Sequence, residues 1–351
     1  MTLTKDFDFL IQWHLTERCN LRCRHCYQSD AAGDELTLRE IREVLAELDD
    51  MLAAWQSVHG VACAPSFNIT GGEPFLRTDF FDILAEIAAG GHEMYVLTNG
   101  TLIDAPKAAR LAELGVAGVQ VSIEGPEEVH ESIRGTGSFA AAVAGVGNLL
   151  RAGLPVTLNV TLSRLNASHM PEMVALAAAL GVQRLGVTRL VPSGRGTALL
   201  EQMLTTEEVH DLYREMFALA IPGLTIVSGD PLAAQMGIPA RLDQGCTPYG
   251  GCAAGVSGLT ILADGTVVPC RRLDIPVGNV RTDDLREMWA TSPILARLRQ
   301  KDLYGGKCAS CKRWGGCRGC RAVAYANAVA QGDHDFLAED PQCFLAVNGD
   351  R

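Results

Sequence analysis

The sequence predicts an α/β fold: a partial (β/α)6 barrel followed by a small cysteine-rich domain with a β-hairpin and helices. Three observations predict it. Strand-like and helix-like segments alternate from residue 9 to about 195, the pattern of parallel βα units. The six strand candidates are rich in apolar and β-branched residues, as strands covered on both faces are. Eight of the twelve cysteines fall between 246 and 343, after the alternation has ended. Six units are too few to close an eight-stranded barrel, so an open, curved sheet follows.

Taken in order, the strands are expected at 9–16, 66–70, 93–98, 118–123, 156–162 and 184–190, with helices at 37–56, 78–90, 105–114, 138–152 and 169–180. Thr37-Leu-Arg-Glu40 reads as a capping box opening the first helix. Thr-Thr-Glu-Glu opens a further helix over 205–220, and glycine and proline dominate 222–256. Ser257–Leu262 and Thr266–Cys270 flank Ala263-Asp264-Gly265 as a hairpin, and helices follow at 282–299 and 321–331. The expected division is 1–200 for the barrel, 201–240 for a helical connector and 241–351 for the cysteine-rich domain.

Functional groups in parallel α/β folds gather at the C-terminal strand ends. The residues placed there are distinctive. Strand one leads into Cys19, Cys23 and Cys26, strand two into Gly71-Gly72-Glu73-Pro74, and strand three into Asn99-Gly100-Thr101. Strand four ends in Ser122-Ile-Glu124-Gly125, and strand six runs into Pro192-Ser-Gly194-Arg-Gly196.

Charge and hydropathy exclude several classes. Net charge is −11, which argues against nucleic acid as a partner because phosphate binding needs a basic face. No apolar run reaches the length of a membrane span, and Met1–Asp8 is no signal peptide, so a cytoplasmic location is expected. A reducing cytosol disfavours disulfides, which points the cysteines to metal. They divide as three, four and four, with Cys63 left over as an incidental thiol.

Cys19-x3-Cys23-x2-Cys26 supplies three thiolates where a [4Fe–4S] cube normally takes four, which leaves one iron open for a small molecule. A zinc site is the alternative for such a cluster. His14 and His25 flank it and receive no catalytic role from the sequence. The Gly-Gly-Glu-Pro turn on the neighbouring strand is a candidate edge for an amine, through backbone carbonyls and Glu73.

With CxxxCxxC and GGEP in these places, residues 9–195 resemble the core of a radical S-adenosylmethionine (SAM) enzyme. The resemblance implies that the open iron chelates SAM, and that one electron cleaves it to methionine and a 5′-deoxyadenosyl radical that takes a substrate hydrogen. By the same resemblance Gly71, Gly72 and Glu73 match the methionine-amine site. Ser122 and Glu124 match a strand-four pair contacting ribose or methionine, although Asp is commoner at the second position. Arg134 matches an arginine near the SAM carboxylate, Tyr27 an aromatic against the adenine, and Asn159 is a weaker candidate.

The second cysteine block, Cys246, Cys252, Cys270, Cys308, Cys311, Cys317, Cys320 and Cys343, contains a run that could be a zinc knuckle, but five residues between its pairs is short for one. The block resembles the SPASM extension, which carries two auxiliary [4Fe–4S] clusters; its last spacing here is x2 where x3 is usual. The resemblance implies Cys246, Cys252, Cys270 and Cys320 for the first, and Cys308, Cys311, Cys317 and Cys343 for the second. It further implies three [4Fe–4S] clusters, SAM, an electron donor such as flavodoxin or ferredoxin, and a peptide or protein substrate. The first strand starts within about ten residues of Met1, so no separate leader-recognition domain is expected. The tail, Cys317-Arg-Gly-Cys320 and Ala338–Cys343, also resembles enzymes acting on tetrapyrroles in haem d1 or alternative-haem formation. A non-catalytic Fe–S electron carrier is the third reading, which the open site beside GGEP disfavours. The anaerobically reconstituted chain should carry about twelve irons, four per cube; iron quantification near four would leave the second block without clusters.

Overall fold

The computed structural model describes residues 7–28, 33–60, 63–236 and 251–345. Six parallel βα units are present. They run β1 (Phe7–His14), α1 (Leu38–His59), β2 (Cys63–Thr70), α2 (Phe80–Ala89), β3 (Glu93–Thr98), α3 (Ala105–Glu113) and β4 (Gly118–Ser122). There follow α4 (Glu127–Arg134), α5 (Ser138–Arg151), β5 (Val156–Leu162), α6 (Met170–Leu180) and β6 (Arg184–Arg189). Next come α7 (Thr206–Phe217), β7 (Thr225–Val227), β8 (Gly258–Ile261), β9 (Thr266–Val268) and β10 (Gly278–Asn279). The chain closes with α8 (Leu285–Thr291), α9 (Pro293–Leu298), α10 (Gly306–Ser310) and α11 (Arg321–Ala330).

The sheet is open, in the order β10-β9-β8-β1-β2-β3-β4-β5-β6-β7. Strands β1 to β6 pair in parallel with their sequence neighbours, so their C-terminal ends share one rim. On β1, Phe9, Ile11 and Trp13 are fully buried, as alternation in a covered strand requires. Helix α1 lays Ile41, Val44, Leu45, Leu48, Met51 and Leu52 on the sheet, spacing that keeps one helical face inward. Its predicted box is formed: Thr37 Oγ1 accepts from the Glu40 N–H, and Glu40 accepts from the Thr37 N–H at 2.7 Å.

The expected hairpin is formed by β8 and β9. Strand β8 pairs in parallel with β1, Leu10 opposite Gly258, so the cysteine-rich part continues the barrel's own sheet. A Cβ on Gly258 would lie 2.4 Å from the Leu10 carbonyl oxygen, and only glycine permits that approach. At the other edge β7 adds a seventh parallel strand to β6. The helix expected over 282–299 is broken into α8 and α9 at Ser292-Pro293, where proline cannot continue the backbone ladder. Helix α4 lay unread in the sequence because its eight residues are mostly polar.

The C-terminal tail is tied to the barrel through Arg189, the last residue of β6. Its buried guanidinium donates to Asp230 at 2.6 Å, to Asp340 at 2.8 and 2.9 Å, and to Gln342 at 2.7 Å. Replacing it would leave two buried carboxylates uncompensated. Arg189→Met is therefore expected to cost about 3–5 kcal/mol, read by chemical denaturation; a loss under about 1 kcal/mol would remove this tie.

Candidate active site

The rim of the sheet is assembled by close backbone contact. Beyond β1 the chain passes Thr16 and Arg18 and enters the cysteine loop. Beyond β2 it turns through Gly71 and Gly72. The Gly72 N–H donates to the Thr16 carbonyl at 2.6 Å and the Glu73 N–H to the Arg18 carbonyl at 2.8 Å. A Cβ on Gly72 would lie 2.2 Å from the Arg18 carbonyl oxygen, so these two turns dock only because the glycines carry no side chain. Arg77, also buried, donates to the carbonyls of Leu15 and Leu36 at 2.8 and 3.0 Å and fixes the same corner.

Glu73 is fully buried, and its carboxylate is spent inside the protein. Thr98 Oγ1 donates to it at 2.9 Å, the Asn99 N–H at 2.9 Å and the Phe75 N–H at 3.3 Å. Burial pushes its carboxyl up to about 7 against the pull of these donors. Asn99 in turn donates to Asn20 Oδ1 at 2.9 Å, and Asn20 to Thr101 Oγ1 at 2.9 Å. The Asn99 amide also lies 3.9 Å from Cys19 Sγ.

Glu124, just beyond β4, plays the matching part on the other side. It accepts from Arg134 Nε at 2.9 Å, from the Thr161 N–H at 2.8 Å, and lies 3.1 Å from His25 Nε2. Burial opposes its charge, but Arg134 and His25 outweigh burial and hold its carboxyl far below the usual range. Arg134 ends helix α4 with its side chain about 10% exposed and a second arm 3.7 Å from Cys23 Sγ.

One cavity, about 900 Å³ out to its mouth, gathers most of these groups. Cys19, Cys23 and Cys26 line it together with Tyr27, Gly71 and Gly72. Ser122, Arg134 and Asn159 line the opposite wall. Glu73 and Glu124 do not line it: the structure puts both one layer behind the wall, with their oxygens taken by protein donors. Tyr27 is anchored from behind. Glu17 accepts from the Gln28 amide at 2.7 Å, that amide faces His14 Nδ1 at 3.4 Å, and His14 Nε2 meets the Tyr27 hydroxyl at 3.3 Å. Five charged or titratable lining residues carry no site role from the sequence: His25, Arg189, Arg195, Arg271 and Arg272. His25 was passed over for lack of a partner, which Glu124 provides only in space. Arg195 had a visible signal, its Gly-Arg-Gly turn, and so did Arg271-Arg272, a cationic doublet directly after Cys270.

The second block forms two neighbourhoods. Cys320 is affected electrostatically by Arg272 and Cys252, and Arg272 in turn by Cys320 and Cys270. Cys317 is affected by Cys343 and Cys308, and Cys343 lies near Lys307, which donates to its carbonyl at 3.0 Å. The Cys311 N–H donates to the Cys308 carbonyl at 3.3 Å. Cys246 lies outside the described residues. None of the eleven described cysteines is joined in a disulfide, and Cys63 lies on β2.

These donor sets fit iron–sulfur clusters. Cys19, Cys23 and Cys26 line one cavity together, as three thiolate ligands of one cube would. Burial pushes Cys317 and Cys320 up to about 12 and raises Cys19, Cys23, Cys308 and Cys343, so thiolates there call for a positive centre beside them. Arg272 Nε, buried with no protein acceptor, is left over next to that block.

Comparison with known proteins agrees. Residues 13–177 match the family model of the radical SAM superfamily, and residues 252–320 match that of SPASM, an iron–sulfur cluster-binding domain. The AdoMet-dependent heme synthase of Methanosarcina barkeri is 30% identical over 349 residues, 95% of this chain and 95% of that protein. The mycofactocin maturase MftC of Mycobacterium ulcerans is 32% identical over 357 residues, 96% of this chain and 88% of that protein. Among solved structures, Streptococcus suis SuiB bound to S-adenosylmethionine superposes with a TM-score of 0.75 at 18% identity, covering 97% of this chain and 78% of that one, a likeness of fold.

Glu73→Gln keeps the shape of the side chain but turns an amide toward donors. With about 1–3 kcal/mol for each donor left unmet, the substitution is expected to destabilise the chain and to lower the iron retained by the 19–26 loop. Denaturation and iron analysis read both; wild-type stability would show the ring of bonds to be dispensable.

Proposed function

The chain belongs to the radical SAM superfamily and carries its SPASM iron–sulfur domain, and we propose that it is a maturase that oxidises a peptide or protein side chain. The carrying observation is the single cavity that joins three thiols, a glycine backbone edge and the polar ends of strands β4 and β5. When bound, the cluster and SAM supply a 5′-deoxyadenosyl radical able to remove a hydrogen atom from an unactivated C–H bond.

The chain's residues bind, orient and shield. Cys19, Cys23 and Cys26 hold the open cluster. Thr70–Gly72 present backbone to the ammonium of SAM, an arrangement the Glu73 ring keeps rigid. Arg134, bonded to Glu124, and Arg195, which donates to the Cys23 carbonyl at 3.3 Å, hold the cysteine loop and set positive charge where the SAM carboxylate lies. Ser122 and Asn159 would hold the ribose, and Tyr27, fixed by His14, would flank the adenine. Cys252, Cys270 and Cys320, with Cys246, hold the first auxiliary cluster; Cys308, Cys311, Cys317 and Cys343 hold the second. Residues 1–200 thus serve the radical step, 201–240 connect, and 241–351 hold the auxiliary clusters. A flavodoxin or ferredoxin supplies the electron. Among the described residues no helix is long and apolar enough to cross a membrane.

A peptide substrate is supported by the 32% identity to a mycofactocin maturase. A second reading, a tetrapyrrole side chain, is favoured by the arginines of the same cavity, Arg134, Arg195, Arg271 and Arg272, which suit carboxylates. It is supported also by the 30% identity to a heme synthase.

Reconstituted protein with dithionite is expected to convert SAM to 5′-deoxyadenosine, and Cys23→Ala to lose at least about 100-fold, since removing a ligand removes the open cluster. Chromatography reads the product, and no turnover with all clusters assembled would overturn the enzyme reading. Faster turnover with a peptide encoded beside this chain's gene supports the maturase; faster turnover with a carboxylated tetrapyrrole replaces it.

A further inference from the structure

Arg272 sits between the two halves of the chemistry. It lines the cavity, and it follows the proposed ligand Cys270 by two residues. The charges acting on its guanidinium are, in order, Cys320, Cys270, Asp230 and Tyr27. Its one hydrogen bond in the structure runs to the Arg189 carbonyl at 3.5 Å, a weak contact, and its Nε is buried without an acceptor.

The contrast with its neighbour is informative. Arg189 places its donors on Asp230, Asp340 and Gln342, as a buried structural arginine must. Arg134 spends its charge on Glu124. Among the described residues no carboxylate is in ion-pair contact with Arg272, and none accepts from its Nε–H. Cys270 stands two residues before it, and Cys320 is bonded into the same corner, its N–H donating at 2.8 Å to the Asp340 that Arg189 holds. A buried cation with an idle donor is costly unless an anionic acceptor completes it.

We propose that Arg272 is a positioning residue for the first auxiliary cluster: its guanidinium lies against that cluster's thiolates, raises the cluster's reduction potential and holds it against the substrate cavity. This rests on the ligand assignment proposed above. A reduced cluster carries one more negative charge than an oxidised one. A fixed cation and an N–H donor beside its sulfurs stabilise the reduced form selectively. No other residue need move, because the guanidinium stays charged in both states.

The test is a potentiometric titration of the reconstituted holoenzyme followed by electron paramagnetic resonance. In Arg272→Gln the midpoint of one of the three clusters is expected to fall, with the other two unmoved. In Arg272→Lys, which keeps a charge on a different stem, the same midpoint falls by less. A merely structural arginine would alter stability without this graded, single-cluster shift. If Arg272→Gln fails to retain iron, Arg272→Lys carries the decision. An unchanged midpoint in an assembled variant, or an equal shift of all three clusters, overturns the proposal. Wild-type protein with only about four irons would instead overturn the cluster assignment on which it rests.

Discussion

The buried carboxylate of Glu73 is the interaction on which the site depends. It gathers the end of β3 through Thr98 and Asn99, while its own backbone, with Gly72, is bonded to the turn that follows β1. Asn99 then reaches Asn20 inside the cysteine loop. Three strand ends and the thiol loop are thereby closed into one hydrogen-bonded ring. Such a network is worth most when every member is satisfied, and an orphaned member inside it is expensive. The thiols are therefore placed before any ligand arrives, and the cavity wall beside them is plain backbone.

Electrostatics follow the same economy. A chain of net charge −11 concentrates guanidinium groups at the rim of its sheet. Two of these, Arg134 and Arg189, are neutralised by buried carboxylates and act as joints. Arg271 stands 5.5 Å over the Tyr27 ring, and Arg272 follows Cys270 by two residues. Because these arginines enter from the cysteine-rich part while Tyr27 and Gly71 come from the barrel, the cavity is complete only when both parts are folded on the shared sheet. The β1–β8 pairing supplies that registration.

Much of this was legible in the chain. The six βα units, their order and the gathering of chemistry at their C-terminal ends follow from periodicity and from turn residues at strand ends. The Thr37 and Thr205 caps follow from side-chain chemistry acting over three residues. Less legible was α4: Glu127–Arg134 carries too few apolar residues to signal a helix, so the sequence did not place Arg134 at a helix end. The surroundings of Glu73 and Glu124 were illegible for a related reason. A carboxylate at a strand end is exposed or buried according to which N–H and O–H groups arrive from other strands.

The sequence by itself determined the kind of chemistry and the architecture that presents it, because three cysteines at fixed spacing, a Gly-Gly-Glu turn and alternating βα periodicity are local patterns. Only the tertiary structure decided which charged residues line the cavity and which stand behind it. It also decided that the hairpin extends the barrel's sheet, and that Cys252 meets Cys317 across the chain, its N–H donating to the Cys317 carbonyl at 3.0 Å. The physical reason is that burial, pairing of charges and strand registration are relations between segments far apart in the chain. Their free energies exist only once those segments meet.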